Sequence, residues 1–141
     1  MEEYNDYQRR NACLKAILQA SKFEFFKVNF NNSGLIDVLL EIIQSGIEVH
    51  LDLREYAFNI ISNICKDNRE NQKEFRRKGG MEILKDQMAY SQVEQSGNAN
   101  TFLLSVIDCL TNTVFGNKRS ELHFLDIEGV YVLLDLAENC E

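Results

Sequence analysis

Among residues able to carry chemistry, the chain holds four cysteines, Cys13, Cys65, Cys109 and Cys140, and two histidines, His50 and His123. Thiolates and imidazoles could bind zinc or drive nucleophilic attack, but both chemistries need ligands or partners at close, defined spacing. No CxxC pair occurs, and neither histidine has an evident partner acid. A Gly-rich phosphate loop and a nucleophile elbow are also missing from the sequence. The expectation is therefore a chain that is not an enzyme and uses no metal and no cofactor. Its cysteines read as reduced, small apolar residues of an intracellular protein. His123 is expected on the exposed face of a connecting helix, and His50 in a loop or at a helix start. A different chemistry is open to Asn63 and Asn112, which stand 49 residues apart. A side-chain amide donates and accepts hydrogen bonds at once.

The elements that must position these two amides are themselves written twice. "NICKDNRENQKEFRRKGG", Asn63 to Gly80, returns 49 residues on as "NTVFGNKRSELHFLDIEG", Asn112 to Gly129. The offset pairs Asn68 with Asn117, Arg69 with Lys118, Phe75 with Phe124 and Gly80 with Gly129. Upstream, Leu53, Ala57, Ile60, Ile61 and Ile64 fall on one helical stripe. The spacing predicts a helix from about Asp52 to Lys66, with Asp52 as its cap and Glu55 completing a capping box. Phe102, Val106, Cys109, Leu110 and Thr113 repeat the stripe at the same phases. Shorter apolar helices are expected at Gly34 to Ile43, Gly79 to Met88 and Glu128 to Ala137, and the polar stretch Ser91 to Asn100 reads as a loop. A period in the upper forties built of helices marks a stacked repeat, each unit burying its apolar face against the next.

Composition agrees. The 141 residues contain no proline and seven glycines, too little punctuation for many short strands, and 45% are apolar, enough for a core. The net charge of -7 argues against nucleic acid as a partner. It is uneven: Lys66 to Lys85 holds seven basic and four acidic residues, whereas Glu121 to Glu141 holds six acidic residues and no Lys or Arg. "RENQKEFRRK" reads as the solvated face of a connecting helix, because Glu70 and Glu74 are interleaved with Arg69 and Lys73. The N-terminus "MEEYNDYQRR" has no signal-peptide core, and no apolar run approaches the roughly 18 residues that span a bilayer. No membrane partner is expected.

At the residues Asn68 to Gln72, Gly79-Gly80 followed by Met81, Ile83 and Leu84, and Ser62-Asn63, the chain resembles the armadillo-repeat family. Glu82 replaces that family's proline, and Asn59 its tryptophan. The resemblance implies an all-α fold, a right-handed superhelical solenoid of about two full repeats with partial repeats at each end. The expected division is a partial unit over 5–32, repeats over 33–78 and 79–127 and a partial unit over 128–141, together forming a piece of a longer solenoid. It further implies that the long helices line a groove where an asparagine on each holds the backbone of an extended peptide. Asn59, Asn63, Asp108 and Asn112 would then form two rungs, with Lys66 and Phe115 near the lower edge. Without the tryptophans, import-signal binding is not expected. "GNKRSELHFLDIEGVYVLLDLAEN", Gly116 to Asn139, is similar to armadillo-like proteins of the ciliary axoneme, which implies a cytoplasmic or ciliary location.

The implied function is a protein-binding scaffold or adaptor that takes an extended peptide or structural subunit, with stacking on neighbouring repeats or homo-association through its ends. The alternative is a regulatory subunit or exchange factor acting on a GTPase or other enzyme. Phe23, Phe25, Phe26 and Phe30 are expected to cap the first repeat rather than pack on another chain.

Overall fold

The structure, a computed structural model, describes residues 1–30, 33–45, 50–91 and 97–139. The helices among them are α1 (Glu2–Ala20), α2 (Glu24–Phe30), α3 (Leu35–Gln44), α4 (Leu51–Cys65), α5 (Arg69–Arg77), α6 (Gly80–Ser91), α7 (Gly97–Val114), α8 (Lys118–Asp126) and α9 (Gly129–Asn139). No strand occurs among the described residues. The helices stack in series: α1, α4 and α7 pack side by side as one layer, and α3, α6 and α9 as a second. α5 and α8 pack on each other at the edge. This is the all-α solenoid that the 49-residue period predicts.

The two stripes explain the core. Leu53, Ala57, Ile60, Ile61 and Ile64 of α4 are buried, as are Phe102, Val106, Cys109, Leu110 and Thr113 of α7. Phe58 meets Phe102 edge-on at 5.6 Å between ring centroids, and the buried Arg54 guanidinium lies 4.9 Å above the Phe102 ring. That guanidinium also bonds Gln87 of α6, so one cation ties α4 to both of its later neighbours.

The turns repeat as faithfully as the stripes. Asn68 and Asn117 are the N-caps of α5 and α8, their side chains accepting from the backbone N–H of Asn71 and Ser120. Asp67 and Gly116 both have positive φ, at 56° and 78°, and so do Gly79 and Glu128, at 79° and 64°. At each pair a glycine and a residue with a side chain, Asp67 or Glu128, occupy the same left-handed turn, so the non-glycine member is strained. Glu128→Gly should therefore stabilise the fold by about 0.5–1 kcal/mol, the relief of strain being partly offset by the greater freedom of glycine in the unfolded chain. A denaturant midpoint raised without change of slope is the expected reading.

Several local expectations are corrected. α4 begins at Leu51 after His50, so Asp52 lies in the first turn and is not the cap. Its carboxylate instead accepts from the Tyr7 hydroxyl and from Asn11 Nδ2 at 3.1 Å, a link between helices that outweighs local capping. The bond raises the Tyr7 hydroxyl above its ordinary pKa. Tyr7 and Asn11 share a helix face of α1, which runs from Glu2 to Ala20, and the "EFFKVNF" segment after it is helix α2. Ser91 and residues 97–100 are helical rather than loop, while 92–96 lie outside the described residues. Phe23 and Phe25 are 63% and 74% exposed, and Phe26 also faces solvent, so these three rings cluster on the surface and do not cap the first repeat, whereas Phe30 is half-buried and packs against the core.

Candidate functional site

Asn63 lies near the end of α4 and Asn112 near the end of α7, each directly before the last residue of its buried stripe. In the structure each amide reaches back to a serine on the preceding layer-mate. Asn63 Nδ2 donates to Ser21 Oγ at 3.0 Å, at the end of α1, and Asn112 Nδ2 donates to Ser62 Oγ at 2.6 Å on α4. Each serine passes the chain onward: Ser21 Oγ donates to the Leu18 carbonyl, and Ser62 Oγ to Asp108 Oδ2, both at 2.7 Å. The rung is thus the same device twice, an amide anchored through a serine to a fixed acceptor. Ser21 and Ser62 are buried, which strengthens bonds that water would otherwise contest.

The predicted residues fall into three groups. Asn112 and Asp108 converge on Ser62, so they form one connected cluster. Asn63 belongs to the rung before it, and Asn59, one turn earlier on α4, is half-buried. Lys66 is exposed at the end of α4, and Phe115, just beyond α7, is 58% exposed. Both asparagines are half-buried, and each amide retains its Oδ1 and one N–H without a bonding partner among the described residues. An anchored amide with a donor and an acceptor to spare can pair a peptide unit with little loss of side-chain freedom.

Sequence reasoning missed the serines as part of the site. Ser62 was visible beside Asn63, but Ser21 has no counterpart at the 49-residue offset, since 21 and 62 are 41 apart and α1 joins the stack by a shorter connection. A further edge tie was equally hidden: Gln72 Nε2 donates to the Asn112 carbonyl, and its Oε1 accepts from Asn117 Nδ2, both at 3.0 Å. Gln72 therefore fixes the end of α7 that carries Asn112 against the start of α8.

The remaining reactive groups are absorbed by packing. Cys65 and Cys109 are fully buried; burial pushes the Cys65 thiol well up, and burial followed by the neighbouring Cys65 and Asp108 does the same for Cys109. Neutral thiols of this kind are poor nucleophiles and poor ligands. Cys13 is exposed, and Cys140 lies outside the described residues. His123 does have an acid partner, contrary to expectation: its Nε2 is 2.6 Å from Glu82 Oε1 at the start of α6, tying α8 to α6. His50 precedes α4 and packs on the Tyr7 ring at 4.2 Å. Among the described residues no three His, Cys, Asp or Glu side chains are grouped to hold a metal. Among them, too, no helix is long and apolar enough to cross a membrane.

Comparison with known proteins adds one finding. The family model described as "Cilia- and flagella-associated protein 69, ARM repeat" matches residues 7–141, nearly the whole chain. No curated protein and no solved structure gives a significant match.

Proposed function

The chain belongs to the armadillo-repeat family of cilia- and flagella-associated protein 69, and from that premise we propose that it is a non-enzymatic scaffold of the cilium or flagellum that docks a protein partner along the layer of α1, α4 and α7. The carrying observation is the repeated rung, in which Asn63 and Asn112 are each held by a buried serine of the preceding helix. Spaced one helix apart, two such amides suit an extended segment whose peptide groups pair without its side chains being read. In this reading Asn59 and Asp108 add polar contacts to the rungs, Lys66 and Phe115 border them, and the partner is a peptide or structural subunit. The repeat units we propose, 33–78 and 79–127, each contain one helix of every layer, α3–α4–α5 and α6–α7–α8, with partial units at 5–32 and 128–141.

The test must separate the amides from the bonds that hold them. Asn63→Ala with Asn112→Ala removes both, whereas Ser21→Ala with Ser62→Ala breaks the same intramolecular bonds and leaves the amides in place. Each pair is expected to cost about 1–2 kcal/mol of stability, so circular dichroism should show both folded. In affinity capture from ciliated cells, partners should be lost, about tenfold or more, with the asparagine pair and weakened only a few-fold with the serine pair, whose amides remain but are no longer held. Equal recovery with all versions, or equal loss with both pairs, would remove direct amide contact from the account.

A further inference from the structure

A different surface of the molecule is built for charge. Along the edge layer, between α5 and α8, lies a groove of about 380 Å³ lined by Arg69, Lys73, Arg76, Lys118 and Arg119, with Glu70 as the one carboxylate in its wall. The chain as a whole carries 22 acidic and 15 basic residues, so five cations against one acid is a local reversal of its balance.

Which cations are neutralised sharpens the contrast. Farther along α5, Arg77 pairs with Glu74 at 2.9 Å, and Lys78 pairs with Asp37 at 3.0 Å as well as approaching Glu74. Among the described residues Arg69, Lys73, Lys118 and Arg119 make no ion pair, and Glu70, adjacent in sequence to Arg69, takes none of them. Arg76 is fixed in the groove by donating to the Ser120 hydroxyl at 2.9 Å, a neutral acceptor that leaves its charge uncompensated. Arg69 and Lys118 are equivalent positions of the repeat, each opening its helix directly after an asparagine cap. The N-terminal ends of both helices therefore add their positive dipole ends to the same place.

We propose that this groove binds an acidic segment of a partner protein, a short run of Asp and Glu side chains lying across α5 and α8. The cations are spread over two helices, so they match several carboxylates in series better than one phosphate, which needs donors converging on a point. An extended nucleic acid strand would leave the groove onto a surface of opposite sign, because the rest of the chain carries the excess of acid. The site is separate from the asparagine rungs and does not depend on them.

The experiment titrates the full chain into a fluorescein-labelled peptide of alternating Glu and Asp, read by anisotropy at about 50 mM and about 200 mM salt. Saturable binding is expected at low salt and should weaken severalfold at the higher salt. Arg69→Glu with Lys118→Glu should weaken it about tenfold or more. Arg77→Glu with Lys78→Glu, the same change in net charge at paired cations, should stay within about twofold. Asn63→Ala with Asn112→Ala should leave it unchanged, so loss of the rungs and loss of the groove are told apart. Absence of saturable binding overturns the proposal, as does an equal loss in the two charge-reversal pairs. A single-stranded oligoribonucleotide that displaces the peptide at lower concentration would overturn the assignment to protein.

Discussion

Gly80→Ala is expected to destabilise the protein by about 1–3 kcal/mol, the cost of forcing extra volume into a packed core. A Cβ on Gly80 would stand 2.4 Å from Cε2 of Phe75, inside any tolerable contact, and Gly80 is not in a left-handed conformation that would itself exclude alanine. The obstacle is a single ring. Phe75 is fully buried and cannot swing aside, so its own removal, Phe75→Ala, should cost about 3–5 kcal/mol. The two effects must couple. In a Phe75→Leu background, where the blocking ring is gone, Gly80→Ala should become nearly neutral, and a double-mutant cycle by denaturant unfolding should show coupling of about 1–2 kcal/mol. Additive losses would mean that backbone placement, and not the ring, selects glycine. The later copy supplies an internal control. Phe124 stands 2.2 Å from the position of a Cβ on Gly129, but α9 is less enclosed: Val130, Tyr131 and Leu134 are exposed, whereas Met81 and Leu84 of α6 are covered. Phe124 is itself buried, at 4%, but fewer covered neighbours on α9 hold its ring, so Gly129→Ala should cost less than Gly80→Ala.

That pair also shows what the sequence could and could not reveal. The 49-residue offset exposed Phe75 with Phe124 and Gly80 with Gly129 as matched positions, and the buried stripes of α4 and α7 followed from helical periodicity alone. Both are local signals, written at fixed spacing within one element. The reason glycine follows phenylalanine at that distance is a contact across a turn, which spacing does not state. The candidate rungs were half legible for the same cause. Asn63 and Asn112 repeat, so they could be read, but the serines that hold them lie on other helices, and Ser21 sits off the period. Asp52 shows the failure in reverse. As an acidic residue at a helix start it looked like a cap, yet Tyr7 and Asn11, more than 40 residues earlier, claim its carboxylate. The exposed phenylalanines were misplaced because hydrophobicity alone argues for burial, and nothing in their spacing says that the helix carrying them lies at the edge of the stack.

Asn71 should prove the most sensitive polar residue of the fold, and its isosteric replacement should make stability depend on pH. It is fully buried on α5, and its Nδ2 donates at 2.8 Å to two backbone carbonyls, of Lys27 in α2 and of Ile64 in the last turn of α4. Helix ends leave carbonyls without intrahelical donors, so one amide here satisfies groups of two helices that cannot turn to water. Asn71→Ala should cost about 2–4 kcal/mol, two bonds lost and two buried acceptors left unpaired. Asn71→Asp keeps the shape but, when ionised, replaces a donor with a negative charge facing two carbonyls. The introduced carboxyl will resist ionisation, so its pKa in the folded state should lie above its unfolded value. A neutral carboxyl can still donate one hydrogen bond. The stability that depends on its proton is therefore fully present below the unfolded pKa of about 4 and is lost as pH rises through the higher folded value. Relative to the unsubstituted chain, Asn71→Asp should be mildly destabilised near pH 4 and should fall to or below the alanine variant near pH 7, as read by denaturant unfolding at each pH. A loss that does not change with pH would show that the carboxylate reaches solvent, and that Asn71 is not the sealed tie between α2, α4 and α5 that its two bonds describe.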